Sequence, residues 1–275
     1  MDLPIKIIST DFDGTLHTEI EEPPVPQELQ SLIGGLQTRG VTWVINTGRD
    51  LASLTDALAQ SRLSIQPDYV VTVEREIYRR KNSGYIGHRD WNVQCSEAHH
   101  ELFQRVKGLL PGLIESIKNS FESTIFEDVY SPFCLIARNS ADADAIFETL
   151  LAFARRIPHL AVVRNDIYFR FAHEAYNKGS ALSEIARGLS ITSEFVFAAG
   201  DHLNDLPMLT RDCARWLVAP DNAIEQVKEA VRSQQGYVSQ QPYGYGVARG
   251  LEYFLELTSS LSAVFNSPRQ RHKST

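Results

Sequence analysis

The sequence predicts an α/β protein: a doubly wound, Rossmann-like parallel sheet interrupted by an inserted α+β module of αββαββ order. Three observations carry this. Short β-branched runs alternate with amphipathic stretches, as buried parallel strands and their crossover helices do. The alternation breaks near residue 80 and returns near residue 174. Three apolar runs also end in polar groups, at Asp11, Thr47 and Asp201, where open α/β sheets hold their ligands.

Residues 5–10 (IKIIST) read as a strand buried on both faces, and Asp11-Phe12-Asp13-Gly14-Thr15 follows. Prolines 23, 24 and 26 exclude helix and central strand from the next stretch. Residues 27–39 are amphipathic and stop at Gly40. Residues 41–45 (VTWVI) form a second buried strand, leading into Asn46-Thr47-Gly48-Arg49. Asp50 is placed to cap a helix whose apolar positions are Leu51, Leu54, Ala57 and Leu58. Pro67 closes that unit and residues 69–73 give a third strand, completing βαβαβ.

The insertion opens with a hairpin, residues 77–80 and 85–88 around Lys81-Asn82-Ser83-Gly84. A helical region over 95–119, interrupted at Pro111-Gly112, precedes strands near 122–129 and 133–138. A helix over 142–155 and strands 160–164 and 167–172 follow. The first pattern then resumes, with helices at 180–187, 203–210, 222–231 and 246–257 and strands at 195–199 and 216–218. The expected domains are a core of residues 1–80 and 174–275 and a module of residues 81–173. The tail ends basic, Arg269-Gln270-Arg271-His272-Lys273, the composition of a frayed terminus.

Lys plus Arg number 27 against 34 Asp plus Glu, a net charge of −7, which argues against nucleic acid as partner. No run is long and apolar enough for a membrane span, and no signal peptide is legible, so a cytoplasmic protein is expected. Cys95, Cys134 and Cys213 fit no zinc spacing and read as free thiols. His99-His100-Glu101 is not HExxH and reads as an exposed helix face. Neither a P-loop nor a GxSxG elbow is present.

Folding should gather Asp11, Asp13, Asp201 and Asp205 at one sheet edge. Each alone could be a helix or turn cap. Together they would repel one another unless a cation intervenes, and an oxygen-only set selects a hard ion such as Mg²⁺. Lys178 stands at the start of a helix, where it opposes the dipole; an anion there would relieve the conflict.

These motifs carry a resemblance. Asp11-Phe12-Asp13-Gly14-Thr15 resembles the DxDGT nucleophile motif of haloacid-dehalogenase-like phosphatases. Thr47-Gly48-Arg49 is similar to their second motif, Asn177-Lys178-Gly179 to the third, and Gly200-Asp201-His202-Leu203-Asn204-Asp205 to the fourth, in the same order. The insertion resembles the class-two cap of subclass IIB. Pro67-Asp68-Tyr69 with Glu76-Ile77-Tyr78 is similar to the sucrose-phosphate-phosphatase branch, close to the Cof-type enzymes. Val73-Glu74-Arg75 departs from both branches, which usually have a Gly-containing turn there.

The resemblance implies a Mg²⁺-dependent phosphomonoester hydrolase acting on a small phosphorylated metabolite, of sugar type, through an aspartyl-phosphate. It implies Asp11 as nucleophile and Asp13 as acid and base. Asp11, Asp13 (through its carbonyl) and Asp201 would hold the metal. Thr47, Gly48, Lys178 and Asn204 would bind phosphate, and Asp205, with Asn204, would orient Lys178 and the metal's surroundings. By the same resemblance Arg164, Asn165 and Asp166, at a hairpin tip, would meet the sugar. Trp91, Arg138, Tyr168 and Arg170 are further pocket candidates, for which packing is the commoner role. The competing functions are a sugar phosphomutase of phosphomannomutase type and a non-catalytic phosphate-ligand binder. No nucleic-acid or membrane partner is expected, and the chain reads as a monomer or homodimer.

Overall fold

A computed structural model describes residues 3–82 and 84–265, with side chains described to residue 258. The basic run at 269–273 lies outside the described residues, as does Ser83 of the hairpin turn. The first core segment contains β1 (Ile7–Thr10), α1 (Gln27–Gln37), β2 (Thr42–Asn46), α2 (Leu51–Gln60) and β3 (Tyr69–Thr72). A hairpin of β4 (Glu76–Lys81) and β5 (Gly84–Gly87) follows. The inserted module runs through α3 (Arg89–Lys107), α4 (Leu110–Ser120), β6 (Ser123–Phe126), β7 (Cys134–Ala137), α5 (Ser140–Ala154), β8 (Leu160–Asn165) and β9 (Tyr168–His173). The chain then adds α6 (Lys178–Gly188), β10 (Val196–Ala199), β11 (Trp216–Ala219), α7 (Glu225–Ser233), β12 (Tyr237–Val238) and α8 (Tyr243–Phe265).

The larger sheet has the order β12-β11-β10-β1-β2-β3-β4-β5, parallel through β3 and antiparallel beyond it. Every residue of β1 and β10 is buried, as strands covered on both faces require. Ile8, Trp43, Ile45 and Phe197 face the apolar stripes of α1, α2 and α8. Ile7, Val44, Val71 and Ala198 face α6 and α7. The register places Thr10 beside both Ile45 and Ala199, so three strands end level and their loops emerge together. The smaller sheet, β6-β7-β9-β8, is antiparallel. Phe133, Leu135, Phe169 and Phe171 bury its one face against Leu102, Leu113, Ile117, Ile146 and Leu150.

Several expectations need correction. Residues 84–87, expected in the insertion, form β5, which pairs with β4 and extends the larger sheet, while Tyr78 and Tyr85 pack on the main core. α3 begins at Arg89, with the His88 side chain as its N-terminal cap. The helix break falls at Gly108-Leu109; Pro111 sits in the first turn of α4, where a missing N–H costs nothing. His99 is buried, not exposed: its Nδ1–H donates to the Cys95 carbonyl (2.7 Å) and its Nε2 accepts from the His173 N–H (3.0 Å). Residues 203–210 hold only a 3₁₀ turn, Leu203–Asp205, because Pro207 has no N–H to continue a helix. α7 starts at Glu225 because Asn222 is engaged elsewhere, donating to the Gly14 carbonyl (2.7 Å) and accepting from the Tyr243 N–H (2.7 Å). β12 is two residues long, too short for any periodic signal. The cysteines are free, and no helix among the described residues is long and apolar enough to cross a membrane.

Phe171 holds the module together, stacked on Phe133 (4.7 Å between centroids) and Phe153 (5.7 Å). Phe171→Ala is expected to cost about 3–5 kcal/mol, read as a lower urea midpoint. An unchanged midpoint would show that the module's core does not limit stability.

Candidate active site

Three carboxylates and one ammonium meet where the parallel strands end. Asp11 directly follows β1, Asp201 follows β10 by one residue, and Asp205 closes the 3₁₀ turn after it. Ligand oxygens of these three lie within 4.8 Å of one another. Lys178, the first residue of α6, is fully buried. Its Nζ donates to Asp11 Oδ1 (2.6 Å) and Asp205 Oδ1 (2.6 Å). Burial alone would lower the lysine pKa; the carboxylates of Asp11 and Asp205 outweigh that and hold it charged.

Each group is fixed locally. Asn177 caps α6, accepting from the Gly179 and Ser180 N–H groups, and so aims Lys178 inward. Gly179 is required because a Cβ there would stand 2.1 Å from the Pro207 carbonyl oxygen. Gly14 has φ +78°, and a Cβ would meet Asp201 Oδ2 at 2.6 Å. Asp205 Oδ2 accepts the N–H groups of Asp201 (2.8 Å) and His202 (2.9 Å), while Thr15 Oγ1 donates to Asp201 Oδ1 (2.6 Å).

The second loop is placed by the turn after β3: the Glu74 N–H donates to the Thr47 carbonyl (2.9 Å) and the Val73 N–H to that of Arg49 (2.8 Å). Thr47 is buried and its Oγ1 accepts from the Arg49 N–H (3.2 Å), leaving the hydroxyl proton to donate. A Cβ on Gly48 would lie 3.2 Å from Glu74 Oε1. Asp13 is held apart from the buried cluster: Arg49 Nε and Nη2 donate to its two oxygens, each at 2.7 Å. Asn204 Nδ2 donates one of its two N–H groups to Glu74 Oε1 (3.0 Å), and its buried Oδ1 has no partner.

The hairpin tip does reach this loop: the Asp166 N–H donates to His202 Nε2 (3.1 Å). Asp166 takes φ 50° in the turn. Asn165 has no side-chain partner among the described residues. Arg164 donates from Nε to the Asp166 carbonyl at the tip (3.0 Å) and also pairs with Asp144 (2.7 Å) and stacks over Phe147 and Phe169. Of the further pocket candidates, Trp91 Nε1 donates to the Arg75 carbonyl (2.7 Å), Arg138 pairs with Glu122 at the surface, and Tyr168 donates to Cys134 Sγ (3.5 Å). Arg170 is buried against Glu74. Arg49 and Thr15 stand within the sequence motifs, which assign neither a role. Glu74 stands out in the sequence only as part of a departure from a glycine-containing turn.

Near the site, a cavity of about 340 Å³ separates the catalytic loops from the smaller sheet; Glu74, Lys178 and Asn204 meet Val163, Arg164 and His173 around it. The arrangement can present a carboxylate to an electrophile, neutralise anionic oxygens with Lys178 and donate from Thr47. Its all-oxygen cluster of Asp11, Asp201 and Asp205 suits a hard divalent cation.

Such loops on such a sheet define a haloacid-dehalogenase-like phosphatase. The match is specific: the family model for sucrose-6F-phosphate phosphohydrolase fits residues 4–255, and the chain belongs to that family. The sucrose-phosphatase of Synechocystis, solved with sucrose and phosphate, has the same fold, with a TM-score of 0.69 at 20% identity over 92% of this chain and 98% of that one. A haloacid dehalogenase-like hydrolase from B. subtilis superposes with a TM-score of 0.63 at 18% identity, over 90% and 99% of the two chains. In sequence, the 5-amino-6-(5-phospho-D-ribitylamino)uracil phosphatase of Bacillus subtilis is 24% identical over 255 residues, 92% of this chain and 97% of its own.

The cluster's electrostatics are measurable. Burial and then Asp205 push the Asp201 carboxyl up to about 7, against help from Thr15 and Lys178. Burial and the neighbouring Asp205 likewise raise Asp11. Raised folded-state pKa values mean that the folded protein binds more protons than the unfolded chain. Cation-free stability therefore falls as pH rises from the ordinary carboxylate range toward about 7. Millimolar Mg²⁺ should raise the thermal midpoint strongly at pH 8 and little at pH 5. Equal shifts at both pH values would show that the ion binds elsewhere.

Proposed function

We propose that the chain is a Mg²⁺-dependent phosphatase of small phosphomonoesters, of sugar or polyol type, working through an aspartyl-phosphate. The observation that carries this is the buried Lys178 bridge between Asp11 and Asp205, beside Asp201 and beneath a cavity large enough for a small ester. Asp11 and Asp201, with the Asp13 carbonyl, would hold Mg²⁺. The ion supplies charge neutralisation, so that an anionic nucleophile can approach a phosphate.

Asp11 attacks phosphorus, while Lys178, the Thr47 hydroxyl and the Gly48 N–H bind the phosphoryl oxygens. Asp205 keeps Lys178 in line. Asp13 protonates the leaving oxygen and later takes a proton from the attacking water. For this it must exchange its Arg49 partner for the substrate, which its partly exposed position permits. Asn204, fixed by one N–H on Glu74 Oε1, would offer its second N–H to the phosphoryl oxygens. The module from α3 to β9 acts as the cap, with Asn165 and Asp166 at its tip offering hydrogen bonds to hydroxyls. Kinship to enzymes named for a sugar phosphate and a phosphoribityl compound supports the substrate class.

The direct test is Mg²⁺-dependent release of phosphate across a panel of phosphorylated metabolites, with and without a bisphosphorylated activator. Phosphate release independent of the activator is expected; transfer that requires it would mark a mutase. Asp11→Asn should retain the fold and lose turnover, since an amide is a poor nucleophile. Substantial activity in the folded variant would remove Asp11 from that role. Asp13→Asn should lower kcat by about 10²–10⁴-fold on alkyl phosphates. The loss should be much smaller on nitrophenyl phosphate, whose leaving group needs no proton. Equal losses on both would count against Asp13 as the acid.

A further inference from the structure

One buried carboxylate joins the catalytic loops to the inserted module. Glu74 follows β3, is 5% exposed, and has φ 66°; Val73 before it has φ 44°. Left-handed backbone is costly for a β-branched residue, and here two loop hydrogen bonds hold it. Glu74 Oε1 accepts from Asn204 Nδ2 at 3.0 Å, and Oε2 lies 3.1 Å from Arg170 Nη2. Along β9, Phe169 and Phe171 enter the module's own core, so Arg170 points the opposite way, toward the catalytic loops. It is 3% exposed.

The polar groups around Glu74 are incompletely used. Arg170 Nε is buried without an acceptor, and Nη2 approaches Oε2 without hydrogen-bond alignment. Asn204 Oδ1 is buried without a donor. A spare donor and a spare acceptor flank the carboxylate, and Glu74 and Asn204 line the cavity above Lys178. Of these groups Glu74 and Asn204 reach the cavity wall and Arg170 does not, so a hydroxyl there can donate to the Glu74 carboxylate or to Asn204 Oδ1. A second anion on the substrate would face the Glu74 carboxylate on the cavity wall, in a site that screens charge poorly.

We propose that Glu74, with Arg170 committed to it, determines specificity. The pair admits phosphomonoesters of neutral, hydroxyl-bearing alcohols and rejects those whose leaving group carries a carboxylate or second phosphate. This rests on the phosphatase reading and narrows its substrate class. Two matched pairs test it: glycerol 3-phosphate against 3-phosphoglycerate, and sorbitol 6-phosphate against 6-phosphogluconate. With the glycerol phosphate enantiomer that matches D-3-phosphoglycerate at the middle carbon, only a terminal hydroxymethyl group and a carboxylate differ within each pair. The parent protein should favour the alcohol by about tenfold or more in kcat/KM. Glu74→Gln should raise kcat/KM for the acids by about fivefold and lower it for the alcohols, because Arg170 is released while the amide still reaches Asn204. Adding Arg170→Met should abolish the gain. A gain on one substrate with a loss on its twin cannot come from misfolding. Should Glu74→Gln fail to fold, the parent's preference decides alone: equal use of acids and alcohols overturns the proposal. Parallel losses in a folded Glu74→Gln would overturn it as well. No phosphate release from any ester by the parent, nitrophenyl phosphate included, would instead refute the phosphatase reading itself.

Discussion

The structure is organised around one charged atom, the Lys178 Nζ, buried between two carboxylates at 2.6 Å each. A buried ammonium is tolerated only when it is paired and hydrogen-bonded. Its partners come from residues 11 and 205, so the ion pair can form only if three distant segments converge. The parallel register provides this by ending β1 and β10 level. The Asn177 cap then turns Lys178 inward, and Gly179 lets α6 approach the Pro207 carbonyl. Asp205 is itself immobilised through its other oxygen by two backbone N–H groups. The ammonium is thus held in place before any substrate arrives, which is what electrostatic stabilisation of a phosphoryl group requires.

Charge balance explains the division of the surrounding acids. Asp13 is matched by Arg49 and Glu74 by Arg170. The cluster of Asp11, Asp201 and Asp205 has only Lys178, which leaves two negative charges in excess. Without a further cation, burial and mutual repulsion raise the pKa values of Asp11 and Asp201. The deficit matches one divalent ion in sign and size.

Much of this is legible before folding. Asp11, Lys178, Asp201 and Asp205 stand in motifs at strand ends and a helix start, and strand alternation brings those ends to one edge. The hairpin tip at Asp166 also reaches the fourth motif. What escapes is non-local. Arg49 clamps Asp13 across 36 residues of chain, and nothing in its surroundings announces a partner. Arg164 reads as a tip residue and does bond the Asp166 carbonyl there, while its stacking over Phe147 and Phe169 comes from packing across the module that its own neighbours in sequence do not announce. β12 has two residues and no period. His99 reads as surface because its neighbours are polar, while its own position falls on the buried stripe with Cys95, Leu102 and Val106.

The Val73-Glu74-Arg75 turn shows how a local irregularity becomes a functional signal. A β-branched residue and a glutamate in left-handed backbone would be replaced by glycine if conformation alone were at stake. The side chains must therefore repay the strain. Glu74 does so by bridging Asn204 and Arg170, and Arg75 by donating to the Tyr130 carbonyl at 2.8 Å. Both partners outside the core, Arg170 and Tyr130, belong to the inserted module. The turn thus exchanges backbone ease for two buried contacts that fix where the module sits over the catalytic loops. A glycine would leave that placement to weaker contacts, and Arg170 would be a buried cation without its carboxylate. The Glu74–Arg170 pair thus takes part in placing the module and, on the specificity proposed above, in setting the charge that a leaving group meets.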